Sequence, residues 1–365
     1  MNKIKVDIPF LISIGILVAS GFLIFSSAAM GLLTTKGGSY SSVSFNQTFF
    51  GLFLGLLACI ITTQIDYKIY RKYSFWFFLF SIFATLLVFV PHIGSAHGGA
   101  NRWIYIGSLS FQTSELLKIS YIMYLSYWLS MKDKAKKFKT GFLPFVILSA
   151  IVCLVLLKQP DTDTFLITFF AGTAIFLTAG GRWRYIFLLA FIGVIGLGFV
   201  AIERPYVMSR ITTFMNPGQN ALTSGYQIQQ SLIAVGSGGF SGRGFGQSIQ
   251  KFNYLPEPIG DSIFAVASEE FGFVGAVGIV LLFIFFAFRG LKIAVKTPDS
   301  YGRLVVVGIV IMIVSQAFVN IGAMVGVLPL SGIPLPFISH GGTALFMTLA
   351  EVGIILNISK SVKKK

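Results

Sequence analysis

Ten apolar runs, each long enough to form a membrane-crossing helix, limit what this chain can fold into. They fall at roughly 8–30, 44–65, 73–92, 113–131, 141–158, 164–180, 185–203, 261–288, 304–325 and 341–358. About 20 apolar residues in a helix cross the ~30 Å hydrocarbon layer, where every backbone N–H and C=O must find a partner within the protein. With 55% hydrophobic and 11% charged residues among 365, the soluble globular class is excluded. The expectation is an all-α polytopic membrane protein, one integral membrane domain over 1–365 with no soluble domain. The first run, from Ile8, is too long for a removable signal peptide and lacks a small-residue cleavage site, so it counts as the first span.

The net charge of +15 matters through its distribution. With the N-terminus inside, one face collects Lys3 and Lys5, Lys68, Arg71 and Lys72, and the five lysines of 132–139. It also collects Arg182, Arg184, Arg289, Lys292, Lys296, Arg303 and the four lysines from Lys360 onward, 20 of the 28 basic residues, which leaves 8 outside or near the outer ends. The positive-inside rule then puts both termini in the cytoplasm. The basic runs are read as orientation signals, so no nucleic-acid partner is expected. The same orientation makes 204–260 a large extracytoplasmic loop between the seventh and eighth helices. Cys59 and Cys153 lie inside apolar runs and read as small buried hydrophobes, neither a disulfide nor a thiol site.

Within this apolar background the stretch from Gly225 to Gly275 is polar, glycine-rich and charged. Seven glycines between Gly225 and Gly246 rule out a regular helix there, at about 1 kcal/mol each relative to Ala. They suit tight turns or close approach of backbone to a ligand. Pro256 and Pro258 bracket Glu257 and should keep that segment extended. Asp261 stands where the next apolar helix begins, either as a site carboxylate or as an ordinary N-cap. Irregular charged backbone between membrane helices belongs outside the hydrocarbon or around a wet cavity, which makes this the first place to look for chemistry.

Other ionisable residues gather at the same ends of the helices: Arg102, Glu115 and Lys118, Lys158 with Asp161 and Asp163, and, deeper, Glu269 and Glu270. Charges at membrane depth face a cavity or one another. Glu115 and Lys118, three apart, share a helix face. One of Glu269 and Glu270 should pair with a base from a neighbouring helix. A short proline- and glycine-rich loop at 328–342 holds Ser339 and His340; either could touch a substrate, although a lone histidine is more often structural.

Nine motifs occur in order: R-W-I at Arg102, F-Q-T-S-E-L-L-K at 111–118, K-Q-P-D-T-D-T at 158–164, G-Y-Q-I-Q-Q-S at 225–231 and G-S-G-G-F-S-G-R-G-F-G-Q-S-I-Q-K at 236–251. Then come Y-L-P-E at 254–257, G-D-S-I-F-A at 260–265, E-E-F-G-F-V-G at 269–275 and P-L-P-F-I-S-H-G-G at 334–342. Together they resemble the SEDS family of peptidoglycan polymerases, FtsW, RodA and SpoVE, over essentially the whole chain. G-Q-S-I-Q-K followed by Y-L-P-E is most similar to the FtsW/SpoVE branch. The resemblance implies a GT-C-like glycosyltransferase of the bacterial cell membrane. It would join lipid II units at the outer leaflet, release undecaprenyl pyrophosphate, and work with a class B penicillin-binding protein in the cell-division machinery, with a RodA-type elongation polymerase as the alternative. The chain departs from the family pattern at Asp163, where glycine is usual, at Ile259-Gly260 in place of His-Thr, at His340 in place of Tyr, and at Asn253.

On that reading Asp261 is the catalytic residue. Arg102, Glu115, Lys118, Gln159, Asp161, Arg243, Lys251, Glu257 and Ser339 are the substrate-binding candidates. Fixed cations such as Arg102, Lys118, Arg243 and Lys251 suit a pyrophosphate leaving group; for Lys118, neutralising Glu115 or Asp161 is an equal alternative. Asp163 is expected to cap the helix beginning near Thr164. No cofactor motif is evident, while a divalent cation, Mg or Mn, between a carboxylate and the pyrophosphate is chemically reasonable. A lipid II flippase is the competing class. It needs polar groups through the membrane depth, and apart from Glu351 the charges here cluster at the outer ends.

Overall fold

The computed structural model describes residues 6–34, 40–90, 94–97, 100–106, 109–131, 134–203, 205–216 and 224–362. Lys3, Lys5, Lys132, the last three lysines and part of 204–260 therefore lie outside the described residues. The long helices are α1 (Ile8–Ala29), α4 (Tyr67–Leu86), α5 (Thr113–Leu129), α6 (Leu143–Lys158), α7 (Thr162–Thr178), α8 (Trp183–Glu203), α11 (Ile263–Lys296), α12 (Ser300–Met324) and α13 (Gly342–Ser359). The second span joins α2 (Tyr40–Phe45), a wide π-helical stretch (Asn46–Phe53) and α3 (Leu54–Gln64). Each of the ten expected helices has its counterpart here. Seven helical stretches among the described residues are long and apolar enough to cross a membrane. The protein is a multi-pass membrane protein.

Aspartates start several of these helices by accepting an otherwise orphaned N–H. Phe10 N–H donates to Asp7 at 3.0 Å, Lys68 N–H to Asp66 at 2.9 Å, and Gly302 N–H to Asp299 at 3.0 Å. These three caps mark the basic end of the bundle. There Arg289 also forks onto both oxygens of Asp7, each at 3.0 Å. Packing is densest at the centre: α12 and α13 are 72% and 83% buried along their apolar stretches, against 28% for the stretch Tyr67–Phe89 that contains α4. Trp76, Phe80 and Phe83 on α4 are exposed, the pattern of side chains that meet lipid rather than protein.

Three features of the opposite end lay beyond the sequence expectation. An antiparallel sheet, β1 (Gly94–His97), β2 (Ala100–Ile106) and β3 (Leu109–Gln112), in that spatial order, carries Arg102. Two short helices follow α8: α9 (Pro205–Met215) and α10 (Ser224–Ser237). The expectation that glycine bars a helix from 225 onward is thereby corrected. G-Y-Q-I-Q-Q-S is helical because only Gly225 and Gly236 fall inside α10, while the other glycines cluster beyond it. Glu257 is not extended either: its φ of 48° makes a left-handed turn, and its carbonyl accepts Gly260 and Ser262 N–H at 3.1 and 3.2 Å.

Candidate active site

The glycine-rich segment after α10 docks on backbone. Helix α11 breaks at Gly272 (φ 65°, ψ −164°), leaving peptide groups on both sides without helical partners. The segment supplies them. Arg243 and Gly244 N–H donate to the Glu269 and Glu270 carbonyls at 3.0 and 2.9 Å. In return Phe273 and Val274 N–H donate to the Gly239 and Phe240 carbonyls at 2.9 and 3.2 Å. A Cβ at Gly242 would strike the Glu270 carbonyl, so the close approach demands glycine there.

Side chains complete this lock, and they correct two site assignments. Lys251 is 1% exposed and donates to Glu270 at 2.8 Å, to Ser27 on α1 at 2.9 Å and to the Gly246 carbonyl at 2.9 Å. An ammonium has three protons. All are spent inside the fold, so Lys251 is not available to a leaving group. Arg243 pairs with Glu269 at 3.5 Å, while Glu269 also accepts Ser248 Oγ at 2.6 Å. The bases that neutralise the two glutamates thus come from the glycine-rich segment and not from a neighbouring helix.

The strap Ile259-Gly260-Asp261 is held from three sides. His340 N–H donates to the Ile259 carbonyl at 2.7 Å, Ser339 Oγ to the Gly260 carbonyl at 2.7 Å, and Asn320 Nδ2 to the Asp261 carbonyl at 2.8 Å. Ser339 Oγ also accepts Leu335 N–H at 2.8 Å. Its hydroxyl proton is thus engaged in clamping backbone. Asp261 is not the N-cap of α11, since the helix starts at Ile263 with Ser262 at the cap position. With its capping role gone, its carboxylate faces a cavity of about 300 Å³ that is also lined by Arg102, Trp103, Glu257, Asn46 and His340.

Behind this cavity a narrow extension of about 10 Å³ shares Arg102, Gln112, Gly332 and Pro334 with it and reaches Glu115, Lys118 and Asp161. Lys118 pairs with Glu115 at 2.8 Å, both buried, and donates to Gln316 at 3.1 Å, so the neutralising reading of Lys118 holds and places the pair beside the cavity. Arg102 donates from Nε to the Gln159 carbonyl at 3.4 Å and from Nη2 to the Pro160 carbonyl, which ties the sheet to the turn ahead of α7. Gln159 is buried with its amide on the Thr85 carbonyl at 3.1 Å, and it lines neither cavity. It braces the turn ahead of α7.

Asp161, not Asp163, caps α7: Thr164 N–H donates to it at 3.4 Å. Asp163 instead pairs with Arg210 of α9 at 2.7 Å and accepts Gly332 N–H at 3.3 Å. A Cβ built on Gly332 would lie 3.6 Å from Asp261 Oδ2 and 4.0 Å from Arg210 Nη2, so these groups converge beside that glycine. Burial raises the Asp261 carboxyl to about 7, the charges of Glu257 and Asp163 push the same way, and Arg210 and Arg102 oppose them. Burial likewise raises Asp161, with Arg102 opposing. Burial lowers His340 to about 4, leaving a neutral ring near pH 7.

Of the ten sequence candidates, Asp261, Glu257 and Arg102 therefore meet in one cavity, with Glu115, Lys118 and Asp161 just behind it. Gln159, Ser339, Arg243 and Lys251 serve the scaffold. Asn46, Trp103, Gln112 and Arg210 were missed, and a polar Asn46-Gln47 pair inside an apolar run was the signal available for the first.

The family model described as "Cell cycle protein", FtsW/RodA/SpoVE, matches residues 8–364. The chain belongs to that family. Stage V sporulation protein E of Bacillus subtilis is 41% identical over 310 residues, 84% of each chain. A probable peptidoglycan glycosyltransferase FtsW of Geobacter sulfurreducens is 37% identical over 360 residues, 98% of this chain and 96% of its own. The fold of the family recurs in solved structures. RodA of Thermus thermophilus superposes with a TM-score of 0.73 at 25% identity over all of both chains. A chain from a peptidoglycan synthase complex does so with a TM-score of 0.82 at 24% identity over 99% of both.

Proposed function

We propose that this chain is a peptidoglycan glycosyltransferase that polymerises lipid II at the outer leaflet of the bacterial cell membrane, with Asp261 as general base. The observation that carries this is the convergence of Asp261 with Glu257 and Arg102 around one cavity, in a chain whose family relatives include glycosyltransferases. Joining two sugars requires an acceptor hydroxyl to lose its proton as its oxygen bonds to the anomeric carbon of the donor. The bond from that carbon to the pyrophosphate oxygen breaks, and undecaprenyl pyrophosphate leaves with the electron pair. A carboxyl near pH 7 is poised to accept the proton, help typically worth ~10²–10⁴-fold. Arg102, fixed by two carbonyls, supplies positive charge for the leaving group.

Among the described residues no three carboxylates or imidazoles form a cation cage. Mg²⁺ or Mn²⁺ is commonly held by one or two carboxylates plus substrate phosphates. Glu257 would provide such a carboxylate, leaving Asp261 to take the proton, and the ion would add charge neutralisation. A class B penicillin-binding protein is the proposed partner, crosslinking the strands this chain makes in a division or elongation complex.

The test is polymerisation of labelled lipid II by the purified protein with its partner. Asp261→Asn removes the base at almost constant shape and should fall by at least ~10²-fold while staying folded. Near wild-type rates in Asp261→Asn would move the base elsewhere, with Glu257 next. Lipid scrambling without glycan product would favour the flippase class.

A further inference from the structure

The cavity has two chemically different walls. On one side stands Arg102. On the other stand Asn46 and His340, which carry no net charge at neutral pH and which the mechanism above does not use. Asn46 reaches the cavity because the π-helical stretch Asn46–Phe53 packs on the glycines that open α13. Gln47 beside it accepts Gly341 N–H at 3.0 Å and donates to the Ser339 carbonyl at 3.2 Å. A Cβ at Gly342 would collide with Asn46 Oδ1, so the glycine makes room for that amide. His340 is fixed by its backbone bond to Ile259 and by stacking on Phe25, with ring centroids 5.9 Å apart.

Both side chains end in a buried polar atom without a hydrogen-bond partner, Asn46 Oδ1 and His340 Nε2. An orphaned buried polar atom is costly and finds a partner when one is offered. Asn46 Oδ1 accepts only, so its partner must donate. A pyrophosphate near neutral pH offers acceptors and would meet this side chain only if its amide turned over to present Nδ2. A sugar hydroxyl can satisfy Oδ1 as it stands, and so can the N–H of an N-acetyl group. A hydroxyl also satisfies either tautomer of the neutral His340 ring.

We infer that Asn46 and His340 form a sugar subsite, taking hydroxyl or N-acetyl groups of a lipid-linked glycan, while the Arg102 wall takes the pyrophosphate. This rests on the glycosyltransferase reading and orients the substrate across Asp261. It makes His340, placed where the family pattern has tyrosine, a specificity-determining position.

The experiment measures binding of two lipids to the full-length protein in nanodiscs, read by tryptophan fluorescence with Trp103 in the cavity wall. One probe is lipid II; the other is undecaprenyl pyrophosphate, which has the same tail and phosphates but no sugar. Asn46→Leu and His340→Phe should each weaken lipid II binding on the order of 10-fold, and should leave the sugar-free lipid within about 2-fold of wild type. His340→Tyr, which puts a hydrogen-bonding hydroxyl in place of the ring nitrogen, should bind lipid II within about 2-fold of wild type. A packing role does not distinguish Phe from Tyr in this way. The inference is overturned if both lipids weaken equally, if neither does, or if Tyr behaves like Phe. Should Asn46→Leu misfold, the Phe and Tyr pair at 340 decides alone. Failure of wild-type protein to polymerise lipid II would sink the glycosyltransferase reading, whereas wild-type polymerisation with unaltered variants sinks only the subsite.

Discussion

Asp261 and Asp163 show how far single residues could be read. The carboxylate of Asp261 was legible through G-D-S-I-F-A, but most of its surroundings were not, because Asp163, Arg210 and Arg102 come from three other segments and only Glu257 is its chain neighbour. With Asp261 raised to about 7, the base is half-protonated near neutral pH, so kcat/KM for lipid II should rise with pH through about 7 and then level off. A rate independent of pH between 5.5 and 8.5 would remove Asp261 from proton transfer. Sign matters for stability too. A carboxyl raised in the folded state loses stability as pH climbs from its ordinary value toward 7. Asp261→Asn should therefore melt above wild type at pH 8, with the gap closing by pH 4. Asp163 pairs with Arg210 at 2.7 Å and adds negative charge near Asp261. Asp163→Asn removes that charge and releases Arg210, and both changes favour ionised Asp261. The rising limb of the pH profile should move to lower pH, with a stability loss on the order of 1 kcal/mol or less for a partly exposed pair.

At the scale of elements, hydrophobic run length located ten helices because a lipid-facing or buried helix needs apolar residues over its whole length. The outer end was less legible. A glycine cluster is compatible with a phosphate cradle, a turn or backbone docking, and only the partner, the break in α11 at Gly272, distinguishes them. Lys251 and Glu270 are 19 residues apart and meet solely because the segment folds back onto the broken helix. The lock has a clear consequence. Lys251→Met leaves Glu270 buried without its cation, a loss of about 3–5 kcal/mol, and should lower the thermal midpoint and the folded yield. In the fraction that folds, KM for lipid II should stay within about 2-fold of wild type. A large rise in KM at unchanged stability would return Lys251 to the leaving group. Gly242→Ala should destabilise as well, through the Glu270 carbonyl it would strike.

At the scale of the whole molecule, polar chemistry is segregated. The end with Asp7, Arg289, Arg71 and Asp299 carries ion pairs and surplus lysines, while the cavity, the sheet and the glycine lock all sit at the other end. A polymerase acting on outer-leaflet lipid requires the cavity end outside, and the positive-inside rule independently demands the same orientation. The two arguments share no residues, so one labelling experiment tests both. Cys59 and Cys153 are first replaced, then a single cysteine is introduced at an exposed position on each end, Ser241→Cys beside the glycine lock and Lys137→Cys on the basic end. In intact cells a membrane-impermeant maleimide should label Ser241→Cys and spare Lys137→Cys until the membrane is opened. The reverse pattern would put Asp261 in the cytoplasm. The charge bias would then have failed as an orientation signal here, and the outer-leaflet polymerase would be wrong even if every distance in the cavity is right.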